Sequence, residues 1–389
     1  MKRRNTWMAG LGALALTVGA CGSSGAGGSG AAKLAKLGTG EGALNIIAWA
    51  GYAENGGNDP KVDWVTPFEK QSGCKTTVKV GDTSDEMVSL MRTGQYDGVS
   101  ASGDATLRLI GAGDVAEVNT DLVPNYADIS GFLKMQQYNS KGGKAYGIPH
   151  GWGANYLMWN TDAVQPDPGS WGVVFDASSP YKGKITAYDA PIYMADAALY
   201  LMKTKPDLGI TNPYALDDAQ FKAVVDLLKQ QKPLVGQYWS LYTDSVTSFS
   251  QGNVVLGTTW QVIKGLVDTE AKVKVKTAIP KEGSTAWSDT WMVSSKAKHR
   301  TCMYLWLNYI TSPDVQAQVA EYFGEAPANP KACDKTADKA HCANYSATDE
   351  SFHQQLYYWT TPTKECLDGR GAKCVAFADW QKAWTEIKG

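Results

Sequence analysis

The segment IPKEGSTAWSDTW, residues Ile279–Trp291, combines a turn with an alternating aromatic pattern. A proline and a glycine predict the turn, and Trp287, Asp289 and Trp291 then alternate with small polar residues. In an extended chain this period of two places both indoles and the carboxylate on one face. Two aromatic walls and one anion can hold an organic ammonium group by Coulomb attraction and cation–π contact. The alternative is a core strand whose Asp289 pairs with a lysine.

The composition favours a binding protein with two domains. The chain has 389 residues and 43% hydrophobic content, which is enough for two cores. A formal net charge of −2 gives no attraction for nucleic acid or an anionic membrane. The 14 Trp and 19 Tyr far outnumber the 8 Phe, and such amphipathic rings suit the walls of clefts. Beyond the N-terminus no apolar run is long enough to span a membrane.

The N-terminus predicts export and lipid anchoring. Three basic residues precede the apolar segment Trp7–Val18, which is too short for a bilayer span. The segment ends in VGAC, which resembles a bacterial lipobox, so residues 1–20 are predicted to be a lipoprotein signal peptide and Cys21 the lipidated residue. An ordinary signal peptide with a chance cysteine is the alternative. Residues 21–43 have little to bury and read as a flexible tether, so the protein is expected on the outer face of the cell membrane.

Six further cysteines predict disulfide bonds. An even number in an exported protein favours three bonds among fifteen pairings. The short loops favour Cys333–Cys342 and Cys366–Cys374, which leaves Cys74 with Cys302. Zinc is the rival, since His341 adjoins Cys342, but the spacing fits no zinc pattern. No metal site is therefore predicted.

Strands and helices alternate along the chain from Leu44. The strands Leu44–Ala50 and Lys75–Val80 flank a helix at Pro60–Ser72, and this rhythm predicts an α/β sheet with right-handed crossovers. A second series between Tyr156 and Ile279 predicts a second α/β lobe. The C-terminal part holds four cysteines and ends in a predicted helix, Phe377–Ile387.

Signals of catalysis are missing from the sequence. The four histidines include no metal-binding i, i+4 pair, and no nucleophile elbow, Walker loop or dinucleotide fingerprint occurs. The sequence therefore predicts a protein that is not an enzyme and takes no cofactor. An exported hydrolase with His150 as its base is the remote alternative.

Five blocks of sequence, in order, carry a family resemblance. They are AWAGY (Ala48–Tyr52), GDTSDEMVSLM with QYDGVSAS, IPHGWGANYLMWNTDAV (Ile148–Val164), VVLGTTW (Val254–Trp260) and the IPKEG…AW-x-D form of Ile279–Asp289. From about Leu44 to its C-terminus the chain resembles the spermidine/putrescine-binding proteins of bacterial ABC importers.

The resemblance implies a two-lobed periplasmic-binding-protein fold of type II, with the ligand in the hinge cleft. The implied division gives 44–155 and 287–325 to the first lobe, and 156–286 and 326–389 to the second. It also implies a monomer that closes around its ligand, and a membrane permease that reads the closed form.

The resemblance also implies the site residues. In the family, aromatic side chains box the methylene chain and carboxylates take the ammonium groups. The matching positions here are Trp49, Tyr52, Ser102, Asp189, Trp260, Trp287 and Asp289. Asp104, with Asp82 and Asp85 as alternatives, is the candidate for a further anion. The other interpretation makes Asp104 and Asp189 helix caps, Trp49 and Trp260 core residues, and Tyr52 and Ser102 loop hydrogen bonders.

Three positions depart from the family pattern. Where relatives often place acids, this chain has Gly51, Ile192 and Ile263. Each ammonium group in a closed cleft needs an anionic partner, because an unpaired charge there is costly. The predicted ligand is a small organic amine of the polyamine type, putrescine or spermidine. A monocation or an amino-acid-like zwitterion is the alternative.

Overall fold

The computed structural model describes residues 33–389, which form two lobes around two large β-sheets, with a separate two-stranded sheet at residues 140–145. The strands are β1 Ala43–Ala48, β2 Lys75–Val80, β3 Gly98–Ala101, β4 Ser140–Lys141, β5 Lys144–Ala145, β6 Gly147–Ala154, β7 Tyr156–Asn160, β8 Ile185–Tyr188, β9 Val235–Trp239, β10 Leu256–Thr259, β11 Val275–Ala278, β12 Ser284–Val293, β13 Ala326–Pro327 and β14 Leu356–Tyr358. The signal peptide, the lipidation site Cys21 and the tether up to residue 32 lie outside the described residues.

Helices cover the sheets. They are α1 Val65–Ser72, α2 Ser84–Arg92, α3 Gly103–Ala112, α4 Gly172–Phe175, α5 Met194–Thr204, α6 Asp218–Gln231, α7 Tyr242–Ser250, α8 Gln261–Leu266, α9 Arg300–Ile310, α10 Pro313–Phe323, α11 His341–Asn344, α12 Glu350–His353 and α13 Phe377–Lys388. In residues 33–389 we find no helix with the length and apolarity that crossing a membrane requires.

The larger sheet has the order β13-β6-β12-β3-β1-β2, and β14 also pairs with β12. β1 runs parallel to β2 and β3, whereas β12 runs antiparallel to β3 and β6. Every residue of β12 is buried, because the strand has neighbours on both edges and cover on both faces. The alternating aromatic run Trp287–Trp291 therefore lies in an interior strand. Its Trp291 is fully buried beside Trp306 of α9, as the core interpretation of that residue expects.

The smaller sheet has the order β11-β7-β10-β8-β9. β8 runs parallel to β9 and β10, and β7 runs antiparallel to β10 and β11. The chain joins the sheets at Asn155 between β6 and β7, at residues 279–283 between β11 and β12, and after β14. This is the two-lobed α/β architecture that the sequence predicts.

The boundaries of the lobes differ from the sequence-based division after residue 283. The division returns the chain to the first lobe at residue 287, whereas β12 of the larger sheet begins at Ser284, and β13 and β14 pair with strands of the same sheet. Residues 326–358 therefore lie largely with the first lobe, and α13 packs in the core of the second. Strands of two or three residues are defined by partners far away in sequence, so no local pattern marks them.

Three disulfide bonds are present, with the pairing that the loop lengths favour. They join Cys74 to Cys302, Cys333 to Cys342, and Cys366 to Cys374, with Cα–Cα distances of 5.8, 5.7 and 5.1 Å. The first bond ties the residue before β2 to α9 and so fixes two distant parts of the first lobe. The other two close short loops in the C-terminal part.

Candidate functional site

A cavity between the lobes is lined by six aromatic side chains, two serines and one carboxylate. The cavity has a volume of about 50 Å³, which is room for a few water molecules at roughly 10–15 Å³ each. The lining residues are Trp49, Ser84, Ser102, Tyr188, Trp260, Trp287, Asp289, Phe323 and Trp359. Five of the eight residues predicted from the sequence are in this set: Trp49, Ser102, Trp260, Trp287 and Asp289.

The cavity lies where strands of both sheets end. Trp49 follows β1, Ser102 follows β3, Tyr188 ends β8 and Trp260 follows β10. Ligands of open α/β sheets bind beyond the carboxyl ends of such strands, because the chain leaves the sheet there and exposes side chains and helix N-termini. The fold thus brings together residues that are far apart in sequence.

β12 contributes Trp287 and Asp289 from the middle of the larger sheet. The period of two places both side chains toward the cavity, and they are 6% and 3% exposed. Opposite Trp287 stands Gly153, where a Cβ atom would lie 2.6 Å from the indole ring. The glycine in the GWG sequence of β6 therefore makes room for the tryptophan.

The second lobe provides an aromatic wall. The rings of Tyr188 and Trp359 stack with centroids 5.7 Å apart and planes at 12°, and Trp260 stands 5.4 Å from Tyr188. Trp239 lies behind Trp260 with centroids 4.8 Å apart. The wall presents ring faces and edges, which suit methylene groups and cations.

The Asp289 carboxylate is held by two hydroxyl groups. Ser102 donates to one oxygen, and Tyr52 donates to the other at 2.7 Å. Tyr52 is fully buried, so it supports Asp289 from behind rather than lining the cavity. Burial raises the pKa of Asp289 to about 6, although both hydrogen bonds lower it. A buried carboxylate with this environment gains stability when a cation approaches.

Asp104 is a second buried carboxyl close to the site. It accepts a hydrogen bond of 2.9 Å from Ser84, which lines the cavity. Burial raises the pKa of Asp104 to about 6, and Asp104 in turn raises the pKa of Asp289. The two acids are therefore close enough to interact electrostatically.

Asp189 lies away from the cavity. Its carboxylate accepts a hydrogen bond from the Trp384 indole at 3.0 Å and pairs with the Lys388 ammonium, both on α13. It is absent from the cavity lining. The structure therefore gives this aspartate partners on the C-terminal helix rather than a place in the cavity lining, and it does not form the cap that the alternative interpretation expects.

The three positions without the expected acids do not open onto the cavity. Ile192 and Ile263 are fully buried in the cores of the second lobe. Gly51 has a φ of +92°, and a Cβ atom there would lie 3.1 Å from the Phe323 ring. Of the residues that line the cavity, Asp289 is therefore the one with a carboxylate.

Four lining residues are not predicted from the sequence: Ser84, Tyr188, Phe323 and Trp359. Tyr188 directly precedes Asp189, and Phe323 directly precedes the Gly324-Glu325 turn, but neither position carries a motif of its own. Trp359 is brought to the cavity by the pairing of β14 with β12, where its backbone N–H donates to the Ala286 carbonyl at 2.7 Å. No local signal could have placed it.

His150 lies in the core of the first lobe. It is fully buried, is not part of the cavity lining, and its pKa is lowered by burial to about 3. Within residues 33–389 no cluster of three or more His, Cys, Asp or Glu side chains is arranged to hold a metal ion. The arrangement at the cavity is suited to binding a cation between aromatic rings.

Comparisons with known proteins point to one family. Residues 63–344 match the family model of bacterial extracellular solute-binding proteins. The putrescine-binding periplasmic protein SpuD of Pseudomonas aeruginosa is 25% identical over 307 residues, covering 74% of this chain and 79% of SpuD. The putrescine-binding periplasmic protein PotF of Escherichia coli is 24% identical over 340 residues, covering 83% and 84%. The TpPotD lipoprotein of Treponema pallidum shares the fold, with a TM-score of 0.71 at 16% identity, covering 89% and 99%.

Proposed function

The chain belongs to the bacterial extracellular solute-binding proteins, and from this premise we propose that it captures a polyamine-type organic amine between its lobes for an ABC importer. The observation that carries the proposal is the Asp289 carboxylate set among six aromatic side chains. A primary ammonium group would pair with Asp289, and the aromatic rings would enclose the methylene chain.

The charge of the cavity supports a cation. The lining contains one carboxylate and neither lysine nor arginine. A zwitterion such as an amino acid would bring its own carboxylate into this space without a cationic partner, at a large desolvation cost. The same lining therefore disfavours the amino-acid-like alternative.

Two ligand charges are compatible with the two acids. Asp289 would take one ammonium group, and Asp104 with Ser84 would serve the other end. A single-charge amine is the second candidate, because Asp289 is the one carboxylate in the lining itself. The number of charges is thus the property that an experiment should vary.

The arrangement of the lobes supports delivery in a closed form. Gln381 of α13 donates to Asp85 of α2 at 2.7 Å, and the Arg108 guanidinium lies 4.8 Å from the Phe377 ring. These contacts join the C-terminal helix to the first lobe across the cleft. A ligand that strengthens closure would shift the population toward the form that a permease binds.

The proposed location is the outer face of the cell membrane, with a lipid on Cys21. This rests on the basic and apolar N-terminal pattern and on the VGAC sequence. The relatives SpuD and PotF are described as periplasmic proteins and TpPotD as a lipoprotein, which supports the proposal.

The proposal is tested by calorimetric titration of residues 33–389 with a matched ligand series. Putrescine, butylamine and 1,4-butanediol vary the charge on the same four-carbon chain, and spermidine adds a third charge on a longer chain. We expect saturable binding of the diamine and none of the diol. Preference for butylamine over putrescine would favour the single-charge candidate, and absence of binding to every amine would overturn the amine proposal.

A further inference from the structure

A cluster of polar side chains lies behind Asp289, on the side away from the cavity. Tyr52, His150 and Glu325 are fully buried, and Asp289 is 3% exposed. Neither His150 nor Glu325 lines the cavity. Ionisable groups are rarely buried without partners, so the burial of this cluster calls for a structural or functional reason.

Hydrogen counting constrains the cluster. The Tyr52 hydroxyl oxygen lies 2.7 Å from an oxygen of Asp289 and 2.7 Å from an oxygen of Glu325. A hydroxyl has one proton and can donate to one of them. The other short oxygen–oxygen contact needs a proton from the carboxyl side, so one of the two acids is protonated.

The contacts assign that proton to Glu325. Asp289 also accepts a hydrogen bond from Ser102, and two donors stabilise its ionised form. Glu325 has Tyr52 alone, and within residues 33–389 its other oxygen has no hydrogen-bond partner. Burial and the nearby charge of Asp289 raise the pKa of Glu325 well above its usual value.

His150 does not act as a cationic partner of Glu325. Its Nε2 atom is 3.5 Å from the free Glu325 oxygen, a separation that suggests an ion pair. In the described part of the chain, however, neither ring nitrogen has a hydrogen bond, and burial lowers the pKa of His150. We therefore take the imidazole as neutral. The Nε2 atom of His341 lies 2.8 Å from the backbone oxygen of Glu325 and makes no hydrogen bond with its carboxyl group. Tyr345 is the remaining titratable group nearby.

The backbone provides the space for this carboxyl. Gly151 on β6 faces it, and a Cβ atom at that position would lie 2.0 Å from the carboxyl carbon of Glu325. The register of β6 on β12 also shifts at Asp289, which leaves His150 as the extra residue of a bulge. Bulges beside functional sites redirect side chains, and this one lies next to the cluster.

We infer that Glu325 is a positioning residue of the site: its protonated carboxyl donates to the Tyr52 oxygen, which directs the Tyr52 proton to Asp289. Asp289 is then the charged acid, with two donors behind it and its remaining lone pairs available toward the cavity. The part of this inference that concerns ligand affinity rests on the proposed function. The protonation of Glu325 does not.

Infrared spectroscopy of the ligand-free protein tests the protonation directly. The difference spectrum between the wild type and Glu325→Gln at neutral pH should contain the carbonyl stretching band of a protonated carboxylic acid. The spectrum of Asp289→Asn should retain that band. Carboxylate bands alone in the Glu325→Gln difference would overturn the inference, whatever the ligand proves to be.

Ligand titration tests the positioning role. Glu325→Leu removes the donor to Tyr52 and should weaken putrescine binding about tenfold, the scale of one buried hydrogen bond left unmade. Glu325→Gln should keep most of the wild-type affinity for putrescine, because its amide N–H can donate to Tyr52. Circular dichroism confirms that each variant is folded. Equal affinity of Glu325→Leu and the wild type would overturn the role, whereas absence of binding in all of them with the infrared band present would overturn only the proposed ligand.

Discussion

Trp260 donates its indole N–H to the side-chain oxygen of Asn155 at 3.0 Å, which joins a wall of the cavity to a segment where the chain passes between the lobes. The amide nitrogen of Asn155 donates in turn to the hydroxyl of Thr285 at 2.6 Å, and Thr285 stands at the start of β12, just after the second such segment. One asparagine thus links the first interlobe connection, the start of β12 and one ring of the cavity wall. The position of Trp260 is therefore coupled to the geometry of the hinge.

Replacement of Asn155 by alanine should destabilise the protein and weaken ligand binding. The change leaves the Trp260 indole N–H without its acceptor, whereas the Thr285 hydroxyl keeps its hydrogen bond to Asp196, and one unmade buried hydrogen bond costs about 1–3 kcal/mol. We expect a lower midpoint of thermal unfolding and a several-fold lower affinity for the amine. Asn344→Ala is a matched control because Asn344 is exposed on α11. Equal behaviour of the two variants would contradict the coupling.

Asp289→Asn should weaken amine binding by on the order of 1.5–3 kcal/mol, the scale of a lost charged hydrogen bond. The amide keeps the shape of the side chain but removes the negative charge that faces the cavity. Calorimetric titration with putrescine measures the change. Asp162→Asn serves as control, since the Asp162 side chain is 71% exposed. An unchanged dissociation constant in Asp289→Asn would remove this residue from the site.

Asp189→Asn should leave amine affinity within about twofold, because the structure pairs this carboxylate with Lys388 rather than with the cavity. Both partners are partly exposed, at 20% and 36% of their side chains, so we expect a loss of at most about 1 kcal/mol of stability. Parallel titrations of this variant and Asp289→Asn separate the two aspartates. A loss of affinity as large as that of Asp289→Asn would place Asp189 in the site after all.

The part of the cavity lining on β12 could be predicted because it is local. Trp287 and Asp289 stand two residues apart on one strand, so the period of the strand alone brings them to one face. Glu325 and Trp359 could not be found in this way, since they reach the site through β13 and β14, whose partners lie far away in sequence. The pairing of Asp189 could not be predicted for the same reason: its partner Lys388 is 199 residues away.

The start of a helix can be predicted where its capping residue directly precedes it. Asp217 forms a capping box with Gln220, and α6 begins at the next residue. The helix predicted at Pro60–Ser72 starts too early, because the Asp59 carboxylate accepts from the Lys61 N–H in a turn and α1 begins only at Val65. Aspartates favour turns and caps equally, so the residue type alone does not distinguish them.

Removal of Cys74–Cys302 should cost more stability than removal of Cys366–Cys374. The two bonds join residues 228 and 8 positions apart. On the chain-entropy model this corresponds to about 5 and about 2.5 kcal/mol. Double serine variants of each pair, compared by thermal unfolding under identical conditions, measure the difference. A larger loss for the short loop would show that local strain or packing outweighs chain entropy here.

Amine binding should weaken as the pH falls below about 6. The pKa values of Asp289 and Asp104 are both raised to about 6 by burial, and a cation binds their ionised forms. Affinity should therefore fall by up to about tenfold per pH unit for each acid below this value, and binding near pH 6 should release protons. The ligand-free protein should behave in the opposite sense. Because these folded-state pKa values lie above the unfolded ones, the acids stabilise the fold at low pH and this stabilisation is lost as the pH rises through 6.

Titrations at pH 5 and pH 7.5 in buffers of different ionisation enthalpy measure both affinity and proton release, and Asp289→Asn should reduce both responses. An affinity for the amine that does not change between these pH values would contradict the assignment of buried carboxylates to the ligand.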